Sequence, residues 1–323
     1  MSAVARTARA PTMAVSCSAA TGAATAIRSS TPAFLSTTTT DTMKKLLLSL
    51  LLASSTSPTL AHNWDEPQEP FTMYGNVHYV GQRGISAVLV TSPQGHILID
   101  VGTEKSPQAV AAHIRQLGFK VEDIKYILTS HAHGDHIGGT AALQRLSGAT
   151  VIGSANSVPV LASGKPDEAD PQAGSLPDTA PVARTRVVKD GDVVTVGPLA
   201  LTAHETPGHT RGGLSWTWQA TENGRTVDMV FADSLNAIGA NGFKYGGDPR
   251  YPQARADVAA SIAKVAGFRC DVLISAHPEG SELWERKARQ AKLGNAAFID
   301  AEACRKYGAK AKARLAKQLA GEK

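Results

Sequence analysis

A chain of 323 residues with 42% hydrophobic and 19% charged residues can bury a sizeable core, which excludes a disordered or fibrous protein. Its net charge of +5 points at first to nucleic acid or an anionic surface. Removing residues 1–61 takes away five cations (Arg6, Arg9, Arg28, Lys44, Lys45) and one acid (Asp41), so the net charge falls to +1 and no nucleic-acid partner is expected.

Residues 1–42 are rich in Ala, Ser and Thr, with no acid before Asp41. They read as an extension upstream of a true start at Met43, with a transit peptide as the competing reading. Met43-Lys44-Lys45, the apolar run 46–53 and the exit Thr59-Leu60-Ala61 have the layout of a secretory signal peptide over 43–61. Cleavage is expected after Ala61, with the mature protein in the periplasm. The apolar run is shorter than the roughly 20 residues a membrane span needs, so no stable membrane association is expected. Cys17 leaves with the leader. Cys270 and Cys304 remain as an even pair in an oxidising compartment, expected as a disulfide rather than as two buried thiols.

Residues 62–323 show no low-complexity linker and read as one domain. Alternating runs at 75–80, 86–90 and 96–100, separated by Gly81–Gly84 and Ser92–Gly95, predict an antiparallel meander. Helical spacing covers 109–117, a short buried strand covers 124–128, and a helix over 140–146 leads to a strand at 150–153. The segment 163–180 is rich in Pro, Gly, Asp and Ser and reads as a long surface loop. A second meander follows at 185–188, 193–196, 199–203, 214–218 and 227–232, with Asn223-Gly224 as a hairpin turn. Helical patterns over 255–266 and most of 283–318 flank a strand at 272–275. Two rounds of strands then helices predict an α/β protein, a two-halved sheet sandwich with outer helices.

The strand at 124–128 runs straight into His131-Ala132-His133-Gly134-Asp135-His136. Imidazole nitrogens and carboxylate oxygens are the usual ligands of zinc. Four such groups, joined by any further histidine, exceed what one tetrahedral ion takes, which hints at two metals. A surface histidine cluster is the bland alternative. His209, in Thr206-Pro207-Gly208-His209-Thr210, and His277, in Ser275-Ala276-His277-Pro278, stand at strand ends facing turn residues. Each alone reads as structural, but beside the hexapeptide each becomes a candidate ligand. His204 reads as packing or ligand support, and His78, His96 and His113 as fillers.

The segments H-A-H-G-D-H, T-P-G-H-T, F-A-D-S-L and A-H-P resemble the metallo-β-lactamase superfamily, and within it class B β-lactamases of the third subclass, over about residues 64–310. The resemblance implies a four-layer αββα sandwich and two Zn2+ ions per chain. One would be held by His131, His133 and His209, the other by Asp135, His136 and His277. It implies opening of the β-lactam ring of penicillins, cephalosporins and carbapenems by a zinc-bound hydroxide, conferring antibiotic resistance. Asp135 would be both ligand and catalytic group, Ser234 and Asn236 would contact substrate, and Cys270–Cys304 is similar to a disulfide of that subclass. A serine at 234 fits this subclass, because the others place a cysteine ligand there. Asn236 stands where some members carry a serine, Ala240 and Asn241 occupy a stretch where some carry a tyrosine, and Asp233 falls near an aspartate that bridges metals in other superfamily hydrolases. A monomer acting on a small β-lactam is expected. The alternatives are a periplasmic metallo-hydrolase of another ester, lactone or thioester, and a non-catalytic periplasmic zinc-binding protein.

Overall fold

The structure is a computed structural model that describes residues 64–322, so the extension assigned to 1–42 and the signal peptide assigned to 43–61 lie outside the described residues. The first sheet has seven strands in sequence order: β1 (Phe71–Tyr74), β2 (Val77–Tyr79), β3 (Val88–Val90), β4 (His96–Ile99), β5 (Ile124–Leu128), β6 (Thr150–Gly153) and β7 (Thr185–Val187). Pairing is antiparallel from β1 to β4 and parallel from β4 to β7. The parallel steps need crossovers, supplied by α1 (Ser106–Gln116), then by α2 (Gly134–Ile137) with α3 (Thr140–Ser147), then by α4 (Ser157–Ser163). The second sheet has the order β12-β11-β10-β9-β8, from β8 (Val193–Val196), β9 (Leu199–Glu205), β10 (Leu214–Glu222), β11 (Arg225–Ala232) and β12 (Val272–Ser275). Only β11 and β12 run parallel, joined through α5 (Ala254–Ala266); α6 (Leu283–Leu293) and α7 (Ala303–Gly321) close the chain.

Strand alternation divides the core into three layers. Val88, Ile97 and Ile99 of the first sheet meet Leu201, Trp216 and Phe231 of the second. The opposite face of the first sheet, through Leu89, Leu98 and Ile127, packs on Val110, Ile114 and Leu143 of α1 and α3. The opposite face of the second, through Val230 and Leu273, packs on Val258 and Ile262 of α5 and Ala311 of α7. The order of layers is therefore helices, sheet, sheet, helices, an αββα sandwich.

Direction is what positions the site. β4 and β5 are parallel. β9 and β11 each run antiparallel to β10 and so share one direction with β12. All the segments carrying candidate ligands leave from the C-terminal ends of these strands. The two sheets are stitched there by Leu214 N–H to Ser130 O (2.7 Å), Trp216 Nε1–H to Thr129 O (3.1 Å) and Ser86 Oγ–H to Ser275 O (2.7 Å).

The elements depart from the sequence reading where short segments compete with turns. The strand placed at 75–80 is β2, and it is preceded by β1, which was not expected: Gly75, at φ +51°, turns the chain between the two, and β1 itself is too short to show a pattern. α1 begins at Ser106, three residues early, with Pro107 in its first turn where the missing N–H is harmless. α4 was hidden by Pro159 in a seven-residue helix. The helix placed over 283–318 is two helices, broken at Gly294 (φ +58°) and a 3-10 turn reaching Phe298.

Candidate metal centre and active site

β5 ends at Leu128, and the six residues of the histidine motif fold over the end of the sheet as an extended step followed by α2. His131 and His136 are fully buried, and His133 nearly so. His209 arrives from the loop after β9. Its predecessor Gly208 has φ +132°, and a Cβ there would lie 2.4 Å from the Val258 backbone, so only glycine lets the loop seat His209. His131, His133 and His209 bring one ligand atom each to within 4.8 Å of one another, and so do His131, Asp135 and His136.

Each of these histidines has one ring nitrogen held from outside. His131 Nδ1 meets Asp233 Oδ1 at 2.7 Å, His133 Nε2 meets Asp170 Oδ2 at 3.0 Å, and His209 Nδ1 meets Asn236 O at 2.8 Å. His136 Nδ1 meets Asp100 Oδ2 at 3.2 Å. Such braces fix ring orientation and tautomer in metal sites and leave the other nitrogen for the ion. His131 Nε2 is the clearest case: it is buried and has no hydrogen-bond partner. An orphaned buried nitrogen is costly unless something not belonging to the chain satisfies it.

The set expected for a second ion, Asp135, His136 and His277, can be tested by its edges. His136 Nε2 lies 3.3 Å from His277 Nε2 and 3.3 Å from Asp135 Oδ2, and the His277–Asp135 edge is 3.6 Å. Ligands about 2.0–2.1 Å from a tetrahedral ion stand about 3.3–3.4 Å apart. The donor set and its spacing therefore fit zinc.

The electrostatics divide the histidines. Burial, with the neighbouring rings, holds His131 well below the usual imidazole range and lowers His209 to about 3. Burial also opposes charge on His136, but Asp135 and the Asp100 hydrogen bond outweigh it and push that ring up to about 10. Asp135 is held below the usual carboxylate range: His136 and His277 overcome the opposing effect of burial.

Asp100 carries a positive φ of 54° while accepting from Ser130 N–H (2.7 Å) and Ser130 Oγ–H (2.6 Å), so it braces both the motif backbone and His136. Asp233 turns its Oδ1 to His131 rather than standing among the free ligand atoms, and Gly213 passes so close that a Cβ would sit 2.2 Å from Asp233 Oδ2. His204 bonds Thr217 Oγ1 and packs on Phe268, and His78 and His96 flank Phe119. Tyr245 is buried and donates to Gly208 O (3.0 Å), beside His209. Asp170 was not singled out from the sequence; an acid in a Pro- and Gly-rich loop carries no local sign that it will be buried against a histidine 37 residues away.

The ligand groups open onto a cavity of about 920 Å3 whose wall includes Ser234, Asn236, Ile238, Gln172 and Trp64. The loop 163–180 and the segment 236–245 meet there: Ala240 N–H donates to Pro171 O, and Asn241 Nδ2–H to Ala173 O. Cys270, just before β12, is bonded to Cys304 near the start of α7. Tyr307, one turn on, donates to Asp233 O (2.9 Å), tying α7 to the site.

The sequence pattern of the metallo-beta-lactamase superfamily matches residues 80–277. The chain is 60% identical to MEM-A1, a subclass B3 metallo-beta-lactamase isolated from a soil metagenome library, covering 80% of this chain and 98% of that one with a TM-score of 0.80. It is 50% identical to metallo-beta-lactamase SMB-1, solved with 2-mercaptoethanesulfonate, over 81% of this chain and all of that one (TM-score 0.79). Identity to MIM-1 from Novosphingobium pentaromativorans is 41%, over 80% and 92% of the two chains (TM-score 0.74). Among curated relatives it is 33% identical to a hydroxyacylglutathione hydrolase of Anaeromyxobacter dehalogenans over 39% of this chain, and 31% identical to one of Pseudomonas paraeruginosa over 53%. The chain spans only about 38% and 52% of those two proteins. The chain belongs to the metallo-beta-lactamase superfamily, and within it to the subclass B3 metallo-beta-lactamases.

Proposed function

We propose that this protein is a di-zinc β-lactamase that hydrolyses the ring amide of penicillins, cephalosporins and carbapenems and so confers antibiotic resistance. The observation that carries the reading is the convergence of six side chains at one site, four of which (His133, Asp135, His209 and His277) line an open cavity with His131 and His136 buried behind them. His131, His133 and His209 would hold one ion, and Asp135, His136 and His277 the other. Zinc there supplies a Lewis acid that makes water acidic near neutral pH and polarises a carbonyl.

The chain's own residues do the rest. Asp233, Asp170, Asn236 O and Asp100 hold four imidazoles in place, so little reorganisation accompanies reaction. Asp135, ionised beside His136 and His277, is placed to accept a hydrogen bond from the attacking water. Ser234, on the cavity wall one residue beyond the His131 brace, and the Asn236 side chain are the groups offered to the substrate carboxylate. Ser234 acts by position; no acyl-enzyme is required.

Two other readings yield to specific observations. A closed structural zinc site would not face a cavity of this size. Hydrolysis of a thioester or lactone is favoured only by relatives matched over part of their length, whereas the B3 enzymes align end to end. Among the described residues no helix is long and apolar enough to cross a membrane. Action as a periplasmic monomer is part of the same proposal, supported by the signal-like segment 43–61 and the Cys270–Cys304 bond. The test is turnover of a chromogenic cephalosporin and of a carbapenem by purified protein with and without chelator. Hydrolysis abolished by chelator and restored by zinc is expected; zinc-loaded protein inert to both substrates would refute the reading.

A further inference from the structure

We propose that Asp170 is a positioning residue that couples metal loading at His133 to order in the cavity wall formed by residues 170–177. The inference rests on the reading of His131, His133 and His209 as metal ligands. It starts from the two faces of one carboxylate. Asp170 Oδ2 meets His133 Nε2 at 3.0 Å, while Oδ1 accepts from Gln172 N–H at 2.7 Å. The backbone is tied at the same point: Asp170 N–H donates to Asp167 O, and Ala173 N–H donates to Asp170 O. One side chain thus ends on a ligand ring and also caps the turn that builds the wall.

Asp170 is only 3% exposed, and among the described residues no arginine or lysine hydrogen-bonds it. A buried carboxylate needs compensation; Arg211 and His209 act on Asp170 through space, Gln172 N–H bonds its Oδ1, and the ring that hydrogen-bonds it is His133. When that ring binds a divalent ion through its other nitrogen, Nε2–H becomes a stronger donor, and the bond to Asp170 tightens. The carboxylate in turn makes the ring a better ligand. Coupling of this kind is reciprocal: whatever loading does for the loop, loop order does for loading.

The rest of the loop makes the coupling consequential. Asp167 is clamped by Arg211 through two bonds of 2.7 and 2.8 Å, and Pro171 O and Ala173 O receive the segment at 240–241. Between those ties, Gln172, Ser175, Leu176 and Pro177 line the cavity. The stretch has no helix or strand of its own, so its order depends on a handful of side-chain bonds. Of these, the one through Asp170 alone reaches a candidate ligand.

The experiment uses the whole protein, stripped with chelator and reloaded with zinc, and follows amide hydrogen exchange over 170–177 together with zinc affinity from competition with a chromogenic chelator. In the unsubstituted protein, zinc should slow exchange at Gln172 and Ala173 several-fold. In Asp170→Asn, zinc affinity should fall about 10–100-fold, and the effect of zinc on exchange should shrink. The visible spectrum of the cobalt(II)-loaded variant should shift as well, which a loop defect remote from the ligand would not cause. Exchange over 170–177 that is indifferent to zinc in the unsubstituted protein would overturn the proposal without relying on any variant. Unchanged zinc affinity in Asp170→Asn would overturn it while leaving the β-lactamase reading intact. A protein that takes up no zinc would overturn both.

Discussion

The two ligand groups are built to different standards of enclosure. His131, His133 and His209 sit at 0–5% exposure, each with its outer nitrogen held by an acceptor from a different part of the chain. In the second group His136 is equally buried and braced by Asp100, but the Asp135 side chain is 12% exposed and that of His277 29%, at the edge of the cavity. Enclosure with fixed partners favours retention, whereas a rim position favours exchange and contact with substrate. On the proposed assignment, the first group would hold its ion and the second would meet the reactant.

That contrast can be broken from the residue where the two groups adjoin. His131 belongs to the first group, and its ligand atom also lies within 4.8 Å of those of Asp135 and His136 in the second, so His131→Ala removes support from both. Activity should fall by at least about 100-fold, the upper end of what loss of a mere brace produces, and metal analysis should show both ions depleted. Retention of one tightly bound ion at full occupancy would show that the groups are independent. Asp135→Asn is the asymmetric cut. It should lower kcat on the order of 100-fold and weaken one ion, while the other stays bound through graded dialysis against chelator. Equal loss of both ions would erase the distinction drawn above.

The unequal legibility of the two groups has the same origin. The hexapeptide 131–136 was readable because its ligands are neighbours in sequence, and His209 and His277 because each ends a strand. The sandwich followed from two rounds of alternation. What could not be read was everything that depends on contacts between distant segments. Asp170 needs the loop 163–180 to fold over His133, and Tyr245 needs its ring to reach Gly208 O. The strand β1 and helix α4 are too short for periodicity to emerge, and the break at 294–302 lies between two helical patterns that adjoin in sequence.

A milder perturbation sharpens the comparison from the scaffold side. Cys270 and Cys304 close a loop of 34 residues that contains β12, the strand leading to His277. In the chain-entropy description such a bridge stabilises by about 3–4 kcal/mol. Cys270→Ser with Cys304→Ser should lower unfolding free energy by roughly that amount in a denaturant titration. Because His277 lies within the loop and His131, His133 and His209 outside it, the second ion should leave at lower chelator concentration. Parallel loss of both would place the bridge's effect on global stability alone.

The smallest effect lies outside both groups and serves as their control. Burial, with His96 beside it, lowers His78 to about 4. The unfolded chain takes up a proton near pH 6.5 that the folded chain refuses until about pH 4. Stability from this residue is therefore whole above pH 6.5 and is lost progressively as pH falls from 6.5 toward 4. His78→Gln removes that titration, so the drop in Tm between pH 7 and pH 4.5 should shrink by about 5–10 °C, corresponding to about 2–3 kcal/mol. Thr72 and Thr91, which bond the ring, do not titrate, and the ligand histidines belong to other segments. The chelator profiles of both ions should accordingly be the same in His78→Gln as in the parent protein; a variant that changed them would mean that the meander around β2 and the metal centre share stability, and that enclosure alone does not set the order in which the ions leave.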